Sequence, residues 1–267
     1  MGADTTYDES YFKKTFNFEI KQPIVELYKA VQSEGSRLRP TIVVRTTGCT
    51  HRCWFGEEGG WCDSWYTSIH PEKGRYSLSD IIKLYDENPQ IKDMMITGGS
   101  PTMHPKLLEA LTQIAKERGI FTTLETEGSH FVQTEHKIDL VSISPKFQNS
   151  IPLLGIKTPK GGIVDGKFIK QHNKFRLFYD SIRKMIDYHS SYQIKPVWGG
   201  ELDVLSEIES LQQFLDIPND KIYLMPAGGT RAQLLKTYPI VMEKCIEKGW
   251  SFTGRPHIIA YDEKREV

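Results

Sequence analysis

The sequence predicts an α/β fold built on a mostly parallel sheet, either open or curled into a barrel. Short β-branched runs alternate with amphipathic segments of helical spacing over most of the chain, and this alternation is typical of parallel strands joined by crossover helices. No internal repeat of fixed period is present. A length of 267 residues suits one large α/β domain. We therefore predict a single domain over residues 1–267.

The predicted elements follow one another from Pro40 to the C-terminus. They are strand 41–47, helix 77–87, strand 92–99, helix 104–119, strands 120–126 and 138–144, helix 175–190, strand 192–198, helix 205–216, strand 221–227, helix 230–249 and strand 251–261. Pro239 is expected to kink or split the last helix. Residues 54–61 are predicted to be a loop insertion, and residues 147–174, rich in Gly, Pro and Lys, an irregular excursion. Folds of this class place their chemistry at the C-terminal ends of the strands.

Composition favours a small-molecule substrate. Lys plus Arg and Asp plus Glu number 34 each, so no overall field attracts nucleic acid or an anionic membrane. The N-terminal segment lacks the apolar run of a secretory signal, and no stretch reaches the roughly 20 apolar residues of a membrane span. We predict a cytoplasmic protein without nucleic-acid or membrane partners.

Three of the four cysteines lie in one loop, TTGCTHRCWFGEEGGWCDSWYT, at residues 46–67. Clustered cysteines without a disulfide framework are typical of metal-binding or catalytic sites. A structural zinc ion needs four ligands, and no second Cys or His pair has finger or ribbon spacing. A 4Fe-4S cluster held by only three cysteines keeps one iron open for a ligand. On the loop alone, a zinc knot or incidental thiols stay open as alternatives, and Cys245 is predicted to be a small core residue.

Nine short segments carry a family resemblance. They are VQSEGS (31–36), VVRTTGC (43–49), CDS (62–64), ITGGSP (96–101), LETEGS (124–129), SISPK (142–146), QIKPVW (193–198), LMPAGG (224–229) and GRPHI (254–258). In this order the chain resembles the radical S-adenosylmethionine (SAM) enzymes and, within them, the 7-carboxy-7-deazaguanine synthases. The resemblance begins near Ile24 and extends to the C-terminus.

The resemblance implies a fold and a reaction. The fold is an incomplete (β/α) radical-SAM barrel, a mostly parallel curved sheet with outer helices. The reaction is that of a carbon–nitrogen lyase in 7-deazapurine or queuosine biosynthesis. A 5'-deoxyadenosyl radical, formed from SAM at a 4Fe-4S cluster, takes a hydrogen atom from 6-carboxy-5,6,7,8-tetrahydropterin. The ring then contracts to 7-carboxy-7-deazaguanine with loss of ammonia.

The resemblance also assigns residues to ligands, and no side chain is assigned a catalytic role because SAM and the cluster supply the radical. The residues assigned to metals are Cys49, Cys53 and Cys62 for the cluster and Ser64, with Asp63 nearby, for Mg²⁺. Those assigned to SAM are Gly98, Gly99, Ser100, Glu125, Ser144 and Lys146. Those assigned to the pterin substrate are Gln32, Glu34, Gly35, Arg45, Thr97, Arg255 and His257.

The chain departs from the family pattern at two points. The usual C-x3-C-x2-C spacing becomes C-x3-C-x8-C between Cys49 and Cys62, and the usual GGEP segment has Ser100 in place of glutamate.

The resemblance further implies a homodimer and an electron donor such as flavodoxin or ferredoxin. The alternatives are another radical SAM enzyme, such as a glycyl-radical activating enzyme, or a non-catalytic iron–sulfur or zinc module.

Overall fold

A sheet of six strands forms the centre of the molecule in the computed structural model, which describes residues 16–267 and leaves residues 1–15 of the predicted domain outside it. In spatial order the strands are β1 (Ile24–Val31), β2 (Pro40–Thr46), β3 (Asp93–Gly98), β4 (Phe121–Thr126), β5 (Leu140–Ile143) and β6 (Tyr192–Ile194). β1 pairs antiparallel with β2, and every following pair is parallel. The predicted parallel sheet is therefore confirmed, with one antiparallel edge strand added.

A second set of strands continues the curve. It consists of β7 (Val197–Trp198), β8 (Tyr223–Pro226) and β9 (Ser251–Phe252), which pair in parallel. A parallel bridge between Ile194 and Ile222 joins the end of β6 to the start of β8. Among the described residues no strand pairing closes this curved sheet, so it is the incomplete barrel that was predicted.

The longer helices pack on the outer face of the sheet, and shorter ones lie beside the cavity on its inner face. They are α1 (Gly56–Gly59), α2 (Trp65–Ser68), α3 (Leu78–Asp86), α4 (Pro105–Arg118), α5 (Gly166–Phe175), α6 (Tyr179–Tyr188), α7 (Leu202–Leu215), α8 (Arg231–Lys248) and α9 (Pro256–Tyr261). Capping boxes at Ser77 and Thr230 satisfy the first amide groups of α3 and α8. Within residues 16–267 no helix is both long and apolar enough to cross a bilayer.

One hydrophobic core lies between the sheet and these helices. Its strand residues include Ile42, Met94, Leu124 and Val141, and its helix residues include Leu78, Leu111, Ile182, Ile208 and Leu211. Successive side chains of a strand point to opposite faces. The core residues of the strands therefore face the helices, whereas polar residues such as Arg45, Thr97 and Ser142 face the concave side.

Three predicted elements differ from the structure, and proline or a helix cap explains each. Within 147–174, Asp165 accepts a hydrogen bond from the amide of Phe168 and starts α5 in the segment predicted to be irregular. The predicted strand 192–198 is divided in two beside Pro196, which has no amide hydrogen to donate. The predicted strand 251–261 ends at Phe252, and Pro256 opens α9, where a missing amide hydrogen costs nothing.

Pro239 was predicted to kink or split the last helix, and the structure shows that the helix is not split. α8 continues from Arg231 to Lys248 with Pro239 inside it. The tertiary contacts of its buried face, which include Leu234 and Val241, offset the hydrogen bond that proline removes.

Candidate active site

A row of polar side chains crosses the concave face near the C-terminal ends of the strands. The register pairs Arg45 with Thr97, Glu125 with Ser142, and Ser142 with Gln193. Thr97 donates a hydrogen bond to Oε2 of Glu125 at 3.0 Å, and Nε2 of Gln193 donates to Oγ of Ser142 at 2.9 Å. Residues in register share a face. The row from Arg45 to Ser142 accordingly lines one cavity.

The cysteine loop closes one side of this cavity. The long gap between Cys53 and Cys62 forms a hairpin around α1, in which Trp54 and Trp61 form an antiparallel bridge. The amide of Cys62 donates to the carbonyl oxygen of Cys53 at 3.1 Å, so the hairpin returns Cys62 to the side of Cys53. Cys49, Cys53 and Cys62 all line the cavity.

The three thiols are protonated at neutral pH without a metal. Burial raises the pKa of the Cys49 thiol well above its ordinary value, and the charges of Glu127 and Cys53 add to the rise. Burial likewise raises the pKa of Cys53, and with Asp63 it raises the pKa of Cys62 to about 11. Since the thiolate is the ligand form, the chain must release these protons when it binds iron.

The donor set fits a cluster with one open iron. The cysteines are all free of disulfides, and Cys245 lies in α8, where its thiol is 3.4 Å from the carbonyl oxygen of Ser251. Three thiols from one loop therefore face the cavity without a fourth. Among residues 16–267 no three His, Cys, Asp or Glu side chains, the three cavity cysteines included, are grouped closely enough to hold a single ion.

Two glycines at the end of β3 pack directly against the cysteine loop. A Cβ atom on Gly99 would lie 2.1 Å from the carbonyl oxygen of Gly48, and one on Gly98 would lie 2.3 Å from that of Thr46. Gly98 also has a φ of +128°, which disfavours any side chain. The backbone of both glycines consequently reaches the cavity wall. Ser100, the next residue, is buried behind that wall rather than lining it.

Ser144 and Lys146, which the resemblance assigns to SAM, lie together after the end of β5. Nζ of Lys146 donates to the carbonyl oxygen of Ser144 at 2.7 Å and to its hydroxyl at 3.0 Å. Both residues line the cavity. The ammonium group is thus held at the cavity wall beside the thiols, and the Lys146 charge acts to lower the pKa of Cys53 against the larger effect of burial.

A chain of ion pairs lines the cavity and runs from the buried Lys195 through the partly buried Glu34 and Arg255 to the exposed Asp63. Lys195 contacts Glu34 at 2.5 Å and Glu125 at 2.7 Å, while Arg255 contacts Glu34 at 3.0 Å and also pairs with Asp63. Burial alone would raise the pKa of Glu34, but Lys195 and Arg255 together outweigh it and lower the pKa. In the same way Arg255 and Arg45 lower the pKa of Asp63 to about 2. Both carboxylates are therefore ionised at neutral pH.

Lys195 was not among the predicted site residues. It is 3% exposed and follows the last residue of β6. Burial acts to lower its pKa, and the two carboxylates outweigh burial and raise it, so the amine stays charged. The signal in the sequence was the lysine in QIKPVW, at the C-terminal end of a predicted strand.

Arg45 is held by residues of β1. Nε of Arg45 lies 2.7 Å from Glu26, and its terminal nitrogens donate to the hydroxyl of Tyr28 at 3.1 Å and to that of Ser64 at 3.0 Å. The Ser64 hydroxyl in turn donates to Oδ1 of Asp63 at 3.1 Å. Burial acts to lower the pKa of Arg45, but Tyr28, Tyr66 and Glu26 raise it, so a charged guanidinium lies beside Ser64.

The QSEG segment contributes only part of its predicted set to the cavity. Glu34 lines the cavity, whereas Gln32 and Gly35 do not. Neither amide atom of Gln32 has a hydrogen-bond partner among residues 16–267, and the amide of Gly35 donates to Thr253. His257 lines the cavity 3.9 Å from Glu34, and burial lowers its pKa while Glu34 opposes the shift.

Comparison with known proteins identifies the family. A family model described as the radical SAM superfamily matches residues 43–197. A 7-carboxy-7-deazaguanine synthase of Halobacterium salinarum is 32% identical over 252 residues, covering 92% of this chain and 92% of its own. The chain belongs to the radical SAM superfamily and, within it, to the 7-carboxy-7-deazaguanine synthase family. Another relative of the same name, from Rhodopirellula baltica, is 29% identical and covers 91% of this chain and 87% of its own.

A solved structure shares the fold. The crystal structure of QueE from Escherichia coli has a TM-score of 0.55 and 20% sequence identity, covering 94% of this chain and 99% of its own. Membership of the radical SAM superfamily implies a 4Fe-4S cluster and SAM. The three thiols and the open cavity beside them fit both groups.

Proposed function

We propose that the chain is a 7-carboxy-7-deazaguanine synthase. It converts 6-carboxy-5,6,7,8-tetrahydropterin to 7-carboxy-7-deazaguanine by radical ring contraction with loss of ammonia, a step of queuosine-type 7-deazapurine biosynthesis. The proposal rests on one observation. Three cysteine thiols line the same cavity as a chain of ion pairs, which is formed by Asp63, Arg255, Glu34 and Lys195. The relatives with this name cover nearly the whole chain.

The thiol side of the cavity is proposed to hold the cofactors. Cys49, Cys53 and Cys62 hold the cluster. When bound, the cluster and SAM supply the one-electron chemistry that removes a hydrogen atom from the substrate. The residues proposed to bind SAM around the cluster are Gly98, Gly99, Glu125, Ser144 and Lys146. Ser100 is proposed to act indirectly. Its hydroxyl donates a hydrogen bond to Glu127, which lines the cavity, whereas Ser100 itself does not.

The charged side of the cavity is proposed to hold the pterin. The ionised carboxylate of Glu34 accepts hydrogen bonds from the N–H groups of the pterin edge, and Lys195 and Arg255 orient it. Arg45 suits the substrate carboxylate because a guanidinium binds carboxylates in a fork. Thr97 lies between the two ligands, and His257 covers the site from α9. Gln32 and Gly35 support this segment from outside the cavity.

A Mg²⁺ ion is proposed to join Ser64 to the substrate carboxylate. The Ser64 hydroxyl donates a hydrogen bond to Asp63 and accepts one from Arg45, which leaves one oxygen lone pair for the ion. Mg²⁺ keeps several waters and needs few protein ligands. The neighbouring carboxylate of Asp63 offsets the positive charge of Arg45 beside the ion.

Replacing Ser64 with alanine is expected to weaken the response to Mg²⁺. The half-saturating Mg²⁺ concentration for turnover should rise on the order of tenfold, because a ligand oxygen is lost. Ser68→Ala is the matched control, since Ser68 is a buried serine of α2 at the same cavity. A Mg²⁺ titration of product formation compares the two variants. An unchanged titration in Ser64→Ala would remove Ser64 from the metal site.

The function is tested by anaerobic reconstitution with iron and sulfide. Reductant, SAM, Mg²⁺ and 6-carboxy-5,6,7,8-tetrahydropterin are added, and 7-carboxy-7-deazaguanine is expected in the mass spectrum. SAM cleavage without this product would refute the substrate assignment. A one-electron donor of the flavodoxin or ferredoxin class, a homodimeric assembly and a cytoplasmic location stay predictions.

A further inference from the structure

A buried carboxylate with no assigned role lies immediately after β4. Glu127 is 6% exposed and lines the same cavity as the three thiols and the two glycines of β3. Among residues 16–267 it forms no ion pair with a Lys, Arg or His side chain. Buried carboxylates are almost always paired, because their desolvation is costly. A cationic partner is therefore expected from a ligand.

The two carboxylate oxygens of Glu127 differ in their contacts. Oε1 accepts a hydrogen bond from the hydroxyl of Ser100 at 2.7 Å and a second, short one from the hydroxyl of Ser129. Within the described part of the chain, Oε2 has a single hydrogen bond, a long one of 3.5 Å from the hydroxyl of Thr126. Two hydroxyls thus fix the orientation of the carboxylate through one oxygen. The other oxygen keeps its capacity to accept hydrogen bonds.

The surroundings of Glu127 define what it can bind. The amide of Ser100 donates to the carbonyl oxygen of Gly48, which ties the end of β3 and the carboxylate to the start of the cysteine loop. Because the buried carboxylate of Glu127 has no cationic partner among residues 16–267, a ligand with positive charge suits this place. It must also carry N–H donors to engage Oε2.

We propose that Glu127 accepts the hydrogen bonds of the SAM α-amino group, held in place by Ser100 and Ser129. SAM brings a net positive charge and N–H donors to the open side of the three thiols, whereas its sulfonium has no hydrogen to donate. The carboxylate that the family pattern places at position 100 is supplied here from position 127 on the neighbouring strand. The inference rests on the proposed function only in that SAM is the bound cofactor.

The test measures SAM binding to the reconstituted full-length protein without any pterin. Glu127→Gln is expected to raise the Kd of SAM by about tenfold or more, as for loss of a hydrogen bond to a charged group. It should also diminish the change that SAM causes in the electron paramagnetic resonance spectrum of the reduced cluster. Glu135→Gln, which alters an exposed glutamate, is the matched control. Iron content verifies that each variant holds its cluster.

Two further variants keep the inference falsifiable. The exchange variant S100E/E127S is expected to bind SAM within a few-fold of wild type, because it returns the carboxylate to the same place from β3. If Glu127→Gln fails to hold iron, Glu127→Asp retains the charge and is expected to weaken SAM binding while keeping the cluster. Wild-type SAM affinity in Glu127→Gln or in Glu127→Asp would overturn the inference. Absence of pterin turnover in the wild type, with SAM binding intact, would refute the proposed function alone.

Discussion

Replacing Cys53 with alanine is expected to abolish both the cluster and all product formation. Cys53 is buried, lines the cavity, and is joined through its carbonyl oxygen to the amide of Cys62. With one thiol removed, only two ligands remain in the loop for a cluster that needs three from this chain. Cys49→Ala and Cys62→Ala are expected to behave in the same way.

Cys245→Ala is the matched control for this loss. Cys245 is also a buried thiol, and burial raises its pKa to about 11, but it lies in α8 against Ser251. Iron and sulfide content, visible absorption and turnover are measured for each variant after anaerobic reconstitution. Cys245→Ala should match the wild type in all of them. Equal loss of iron in Cys245→Ala, or full iron content in Cys53→Ala, would contradict the ligand assignment.

Replacing Lys195 with methionine is expected to lower turnover by about two orders of magnitude or more. Removing one partner of a buried ion pair leaves the other charges uncompensated and lowers the stability of the folded arrangement by about 3 to 5 kcal/mol. Here the amine joins Glu34, which is proposed to bind the pterin, to Glu125, which is proposed to bind SAM. Without it the pKa of Glu34 should rise toward neutrality. The carboxylate then loses its fixed position and part of its charge at neutral pH.

The Lys195 prediction has readouts that a purely structural role would not change. The KM for the pterin should rise more than the Kd of SAM, and the pH profile of kcat/KM should shift upward on its acid side. Lys195→Arg keeps the charge and should recover part of the affinity. Lys184→Met, an exposed lysine of α6, controls for the substitution. An unchanged KM and pH profile in Lys195→Met would exclude Lys195 from substrate positioning.

Most of the scaffold could be predicted from local patterns. The helical spacing of α4 and the β-branched run of β2 depend on neighbours along the chain, so their bounds agree with the structure to within one or two residues. β1 was missed, although it supplies Glu26 and Tyr28 to hold Arg45. It is an antiparallel edge strand without a crossover helix, and it therefore lies outside the strand and helix alternation.

The sequence by itself determined the family and predicted the ligands of the cluster. The sequence itself shows three cysteines in one loop and a series of short motifs in a fixed order. Neither feature depends on the folded structure. It also placed Gly98 and Gly99 at the end of a strand, where the structure has them at the cavity wall.

Only the tertiary structure decided which distant charges meet. Lys195 contacts Glu34 across 161 residues and Glu125 across 70 residues, and Ser100 contacts Glu127 from the neighbouring strand. Such contacts depend on strand order, register and sheet curvature, which bring the C-terminal ends of separate strands together. Local sequence patterns fix where a strand ends, but they do not specify which other strand end lies opposite it.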